Sequence, residues 1–218
     1  MNKPFELLSM DREHWQQRLT GLEKHLGYKH GFKLLFSPWR LLGTAHTLFL
    51  SLNPGGDPSD GKEPLRIASD ERGCSYTIPG MNHKPIAHQY VRLCELIGQD
   101  PEDVLAATLM PFRTDDWDRK RDEVNIAITR DFWSLVVNNG RIKKVIAVSD
   151  TVEKEILKLT GARLQAEIPA NWAKVKIRRY RNNDGLTVYA LPHLSRFKLL
   201  SRNESIQQLI KLFELDQN

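Results

Sequence analysis

Two short segments carry side chains able to do chemistry without a metal or a phosphate loop. Asn53 stands in Ser51-Leu52-Asn53-Pro54-Gly55, and His193 stands with Ser195 in Pro192-His193-Leu194-Ser195. A carboxamide donates and accepts hydrogen bonds but is no strong base, so it orients a water better than it deprotonates one. An imidazole donates a hydrogen bond or a proton near neutral pH. The chain has no G-x-x-x-x-G-K-[ST], no G-x-G-x-x-G after a strand, no G-x-S-x-G and no H-E-x-x-H. Their absence sets aside phosphate-loop, dinucleotide, serine-hydrolase-elbow and zinc-protease chemistries. Asp115, Asp116 and Asp118 read as the start of a helix rather than as metal ligands. No metal and no organic cofactor is expected.

The elements that must hold these segments follow from hydrophobic periodicity. Thr47–Leu52 is an almost unbroken apolar run, as in a strand covered on both faces. Pro54 stops it, and Gly55 and Gly56 let another molecule approach the main chain. A buried strand ending in such a loop puts Asn53 at the carboxyl edge of a sheet, where α/β proteins bind ligands. Residues 57–85 have no clear period and contain Cys74-Ser75-Tyr76; long loops of this kind are often functional. An apolar stripe at Ile86, Tyr90, Leu93, Cys94 and Ile97 predicts a helix from Pro85 to Gly98. Val104–Met110 and Lys144–Val148 are further buried strands, with a helix through Val124, Ile128, Phe132, Leu135 and Val136 between them. Asp150 with Glu153 has the spacing of a capping box. Residues 173–181 alternate apolar and basic, Asn182–Gly185 is a hairpin turn, and Leu186–Leu191 is the last strand. Ile206, Leu209, Ile210 and Phe213 predict a closing helix. Residues 1–44 read as a helical layer of two pieces. The whole is one α/β domain, residues 1–218, with a doubly wound, mostly parallel sheet. Right-handed crossovers then bring the loops at Asn53, Pro111, Ser149 and His193 to one edge.

Composition narrows the classes. A net charge of +5 and a pI of about 9.2 suit a polyanionic partner without requiring one. Two cysteines, Cys74 and Cys94, are too few for an all-cysteine iron–sulfur cluster and fit a reducing cytoplasm. There is no apolar run of the roughly 20 residues a membrane span needs. A cytoplasmic monomer is expected.

The two segments together resemble the uracil-DNA glycosylase superfamily, in particular its mismatch-specific and single-strand-selective branches. Their first motif, Gly-x-Asn-Pro-Gly, is Ser51–Gly55 here; their last, His-Pro-Ser, is His193-Leu194-Ser195. The likeness covers roughly residues 45–205. It implies a three-layer α/β/α sandwich around a mostly parallel four-stranded sheet, and hydrolysis of the N-glycosidic bond of uracil or another damaged base in duplex or single-stranded DNA. Asn53 would position the attacking water, and His193 would stabilise charge on the departing base. Pro54, Gly55, Tyr76 and Ser195 would shape the base pocket, with Tyr76 stacking on the extruded base. Phe197 would enter the duplex as a wedge, flanked by Arg196 and Lys198 on phosphates. Lys176 and Arg178 are candidates for the same work.

The sequence departs from the pattern. Leu194 replaces the proline of the last motif, which predicts a looser turn around His193. Ser51 replaces glycine, and Thr108–Arg113 offers no asparagine to read uracil. The structural alternatives stay open: Asn53 as a turn starter, His193 as a satisfied structural histidine, Tyr76 and Phe197 as packing aromatics, residues 174–181 as a solvated sheet edge. Two rival functions remain, a catalytically silent nucleic-acid-binding relative and a small-molecule enzyme that uses the Asn-Pro-Gly-Gly turn as an anion site.

Overall fold

The computed structural model describes residues 11–55, 63–79, 84–114 and 119–215. The helix start expected at Asp115–Asp118 lies outside the described residues. Helix α1 (Arg12–Leu26) opens on Asp11, whose carboxylate accepts from the His14 N–H, and closes on Gly27 in the left-handed region. In chain order there follow β1 (Phe32–Lys33), a 3-10 turn (Trp39–Gly43), β2 (Thr47–Ser51), β3 (Arg66–Ile67), α2 (Pro85–Leu96) and β4 (Leu105–Thr108). Then come α3 (Arg119–Asn138), β5 (Lys144–Val148), α4 (Asp150–Thr160), β6 (Arg163–Pro169), β7 (Lys176–Arg181), β8 (Thr187–Leu191) and α5 (Asn203–Phe213).

The main sheet runs β4-β2-β5-β8-β7-β6. Its first four strands are mutually parallel, and β7 and β6 extend it as an antiparallel hairpin. Counted along the chain, the parallel strands lie in the order 2-1-3-4. The expected four strands are therefore the parallel part of a six-stranded sheet. Strand β6 was not predicted because it is the outer edge: Leu164 is 53 % exposed, and most of the strand is solvated on both faces. Its weak alternation at Leu164, Ala166 and Ile168 was the signal to read.

Strand pleating divides the core in two. Leu48, Leu50, Leu105, Ala107, Val145, Ala147, Val188 and Ala190 face one way, against Trp15 and Leu19 of α1, Phe132 and Trp133 of α3, and Val152 and Ile156 of α4. Phe49, Ala106, Ile146, Val148, Tyr189 and Leu191 face the other way, against Tyr90 and Leu93 of α2 and Leu209 and Leu212 of α5. Helices thus cover both faces. Among the described residues no helix is long and apolar enough to cross a membrane.

The N-terminal layer is only half helical. After α1 the chain runs extended beside β4: Phe36 N–H donates to Ala106 O, Thr108 N–H donates to Leu34 O, and Leu35 pairs antiparallel with Ala107. An edge strand with unpaired main-chain groups is a liability, and residues 32–36 cover it. Ser149, not Asp150, caps α4, since its hydroxyl accepts from the Val152 N–H. Glu153 is buried instead and takes hydrogen bonds from Tyr180 and Arg178.

Candidate active site

Because β2, β4, β5 and β8 are parallel, the loops after them leave from one edge. Leu50, Ala147 and Ala190 stand at one level across β2, β5 and β8. Asn53 and His193 each lie three residues past that level. One strand, β5, separates their supports, so the strand axes are about 10 Å apart. Asn53 is half-buried, Pro54 buried and Gly55 exposed. Between them, at the end of β5, Ser149 has φ 107° and ψ 156°, a region almost confined to glycine. Its N–H donates to Leu191 O at 2.9 Å, which ties the β5 loop to the start of the His193 loop.

His193 is exposed, and its Nδ1 lies 2.7 Å from Ser195 Oγ. A neutral ring has one N–H. With the serine hydroxyl donating to Nδ1, that proton sits on Nε2. Surrounding protein atoms desolvate the ring and pull its pKa below the ordinary value, which favours this neutral form. The turn is firm rather than loose. Arg196 and Phe197 both donate to His193 O at 2.9 Å, and Leu194 is fully buried in the core. An apolar anchor does here what a proline's fixed φ would do.

Tyr76 does not present a ring to a base. It is 3 % exposed, stacked on Phe36 at 4.9 Å and packed against Phe49 and Tyr90. Burial also holds its hydroxyl pKa well above the usual value. Its stacking partner Phe36 does line a cleft beside Pro54 and Gly55, together with Phe32. Ser51, in place of glycine, is buried and donates to Ala107 O at 3.2 Å, which joins β2 to β4 at the edge.

At the other end of the edge, Phe197 is half-buried and meets Trp172 edge-on at 6.3 Å. Arg196 lies over Phe197 at 5.5 Å, and Arg202 over Trp172 at 4.9 Å. Trp172 sits in the β6–β7 turn, where Asn171 and Ala173 both take positive φ. Strand β7 begins beside the end of β8, so this turn reaches the same edge as His193. Lys174 and Lys198 are exposed there, and Ser195 is half-buried. Trp172 was not singled out from sequence; an aromatic beside Asn171 in a turn was the available signal.

Lys176 and Arg178 are engaged elsewhere. Both bind Glu167, at 2.5 and 2.7 Å, and Arg178 reaches Glu153 at 3.2 Å. Hydrogen bonds from Lys176 and Arg178 hold the Glu167 carboxyl below the usual carboxylate range. These two cations neutralise acids on the sheet edge.

The sequence also gave no warning of a buried charge network at the β2–β4 end. Lys33 Nζ donates to Asp70 at 3.0 Å and to Ser75 at 2.5 Å, and lies 4.7 Å from the centre of the Phe36 ring. Asp70 also receives Arg72 and the Ser75 hydroxyl. Burial pushes the Asp70 pKa up, but the hydrogen bonds from Arg72, Ser75 and Lys33 outweigh it and hold the carboxyl far below the usual range. Burial dominates at Lys33 and lowers its pKa despite Asp70. Among the described residues no group of three or more His, Cys, Asp or Glu side chains is placed to hold a metal. No family model matches this sequence, and no curated protein matches it.

Proposed function

We propose that this chain hydrolyses the N-glycosidic bond of uracil or another damaged base in DNA, on an α/β/α sandwich of uracil-DNA glycosylase type. The observation that supports the reading is that the Asn53 and His193 loops leave the same edge of the sheet, after parallel strands separated by one strand. A water, a sugar carbon and a base edge fill a gap of about 10 Å when successive contacts are near 3 Å. Asn53 holds the water against C1′. As the bond to the base breaks, the sugar gains positive character and the base negative character. His193 Nε2–H donates to the base oxygen where charge gathers, and Ser195 keeps that tautomer in place. Phe197, with Arg196 and Lys198, holds the DNA beside the vacated stack.

The test is a glycosylase assay on single- and double-stranded oligonucleotides carrying uracil, hypoxanthine, xanthine or oxidised pyrimidines, with alkali to cleave abasic products. Cleavage at one of these bases that is lost in His193→Ala supports the proposal. Binding with no abasic product on any substrate overturns it. That outcome matches the second reading, a catalytically silent nucleic-acid-binding relative, which the burial of Tyr76 favours because it removes the expected stacking ring.

A further inference from the structure

The cleft beside Pro54 and Gly55 has walls of unusual charge. Among the described residues its lining includes Lys33, Lys84 and Arg113 but no aspartate or glutamate. Lys33 is compensated by Asp70 behind it. Among the described residues no carboxylate pairs with Arg113. An arginine with no carboxylate beside it leaves its charge available to an anion in the cleft.

The position of Arg113 is built, not incidental. Its backbone N–H donates to Gly31 O at 3.1 Å. Gly31 has φ 80°, and a Cβ there would lie 2.2 Å from Leu65 O, so only glycine fits. Gly31 N–H is in turn fixed by the buried Glu23 carboxylate at 2.9 Å, which Arg66 also engages. The main chain of Arg113 is thus held beside the cleft by a chain of defined contacts. Lys84, the cap residue of α2, also lines the cleft. That helix has no side-chain cap and no acid in its first turn, which leaves its positive end open. Phe32, Phe36 and Leu65 supply the cleft's apolar lining.

We infer that this cleft binds a phosphoryl group, held by the Arg113 guanidinium fork and the Lys84 ammonium. Arginine matches tetrahedral oxyanions in two-point geometry through its terminal guanidinium nitrogens. The phosphoryl group comes either from the backbone of DNA threaded past Asn53 or from a free nucleotide. The inference does not rest on the glycosylase reading, since a phosphoryl site beside the Asn-Pro-Gly turn serves a silent binder equally.

The experiment is calorimetric titration of the full chain with inorganic phosphate at constant ionic strength. It is repeated with a deoxynucleoside 5′-monophosphate and with short single-stranded DNA whose backbone phosphates are replaced one at a time by methylphosphonate. The wild type should bind inorganic phosphate. Arg113→Gln and, independently, Lys84→Gln should each weaken it at least tenfold, while Arg113→Lys recovers part of the loss and Lys158→Gln on the surface of α4 changes nothing. If DNA is the source, one methylphosphonate position should weaken wild type as much as Arg113→Gln does, and should have no further effect in that variant. If a nucleotide is the source, the monophosphate should bind more tightly than phosphate, and no methylphosphonate position should matter. Equal phosphate binding by wild type, Arg113→Gln and Lys84→Gln, or none by folded wild type, would overturn the inference. Neither result depends on base excision.

Discussion

The two ends of the carboxyl edge are built on different principles. At the β2–β4 end the polar groups are inside. Lys33 and Asp70 are almost fully buried, and their charges are balanced by each other, by Ser75 and by Arg72. At the β8 end the polar groups are at the surface. His193, Arg196 and Lys198 are exposed, and Phe197 and Trp172 lie half-buried beneath arginines. A buried ion pair costs desolvation free energy and returns rigidity only when fully satisfied. A surface cation costs little and stays available to a phosphate. One end is therefore suited to holding a backbone fixed around Asn53, and the other to meeting a large, charged partner.

Breaking this comparison starts with the buried pair. Asp70→Ala strands the Lys33 ammonium and should lower unfolding stability by about 3–5 kcal/mol. His193→Ala should change it by under about 1 kcal/mol, since it loses only a surface hydrogen bond. Denaturant unfolding of both variants decides the matter; a cost below about 1 kcal/mol at Asp70 would mean the network is not the rigid end. The pH dependence has a defined sign. Asp70 has a folded pKa below its unfolded value of about 4. Its contribution is therefore present above pH about 4 and is lost as pH falls below that. Asp70→Asn should flatten this acid limb of the stability curve.

Next in size is the chemistry. Removing one donor aimed at developing charge typically costs about 10²–10³ in turnover. Asn53→Ala and His193→Ala should each show a loss of that order in single-turnover rate, on whichever base is excised, with DNA affinity within a few-fold. Lost affinity at an unchanged rate would make both residues binding or structural groups.

How far the sequence revealed this contrast depends on where each group sits. The buried strands β2, β4, β5 and β8 were legible because nearly every residue in them is apolar, and prolines and glycines mark where each must stop. Asn53 and His193 were legible because they follow those strands directly. Lys33 was not, since it stands in an apolar run, Gly31-Phe32-Lys33-Leu34-Leu35-Phe36, and its partners Asp70 and Ser75 come from a loop with no periodicity. For Tyr76 the packing alternative is the one the structure shows, for a related reason. A loop poor in apolar residues suggested an exposed ring, but Cys74 and Tyr76 turn inward onto Phe49 and Tyr90. Ion pairing of Lys176 and Arg178 depends on Glu167, in the one long strand that alternation did not reveal.

A smaller effect is expected at Ser149, on the strand between the two ends. Its near-glycine dihedrals cost about 1–3 kcal/mol, and glycine at a helix cap loses only a few tenths. Ser149→Gly should therefore raise unfolding stability by about 1–2 kcal/mol. If stability falls, the strain is illusory or the serine hydroxyl holds more than the α4 cap.

The smallest effect tests where DNA phosphates lie. Each phosphate contact contributes about 0.9 to the slope of log affinity against log salt on duplex DNA. Arg196 and Lys198 are exposed at the edge and are near no acid that binds them among the described residues. Arg196→Gln and Lys198→Gln should each lower the slope by about 0.9. Lys176 and Arg178 already share Glu167, and Arg178 also binds Glu153. A phosphate would have to displace those carboxylates, so Lys176→Gln and Arg178→Gln should leave the slope unchanged within error. Affinity itself is a poor readout, because removing either cation frees Glu167 and adds long-range repulsion of DNA. The slope counts released counterions and separates the two effects. A drop of about 0.9 in Lys176→Gln with none in Arg196→Gln would move the DNA phosphates from the loop after β8 to the outer hairpin of β6 and β7.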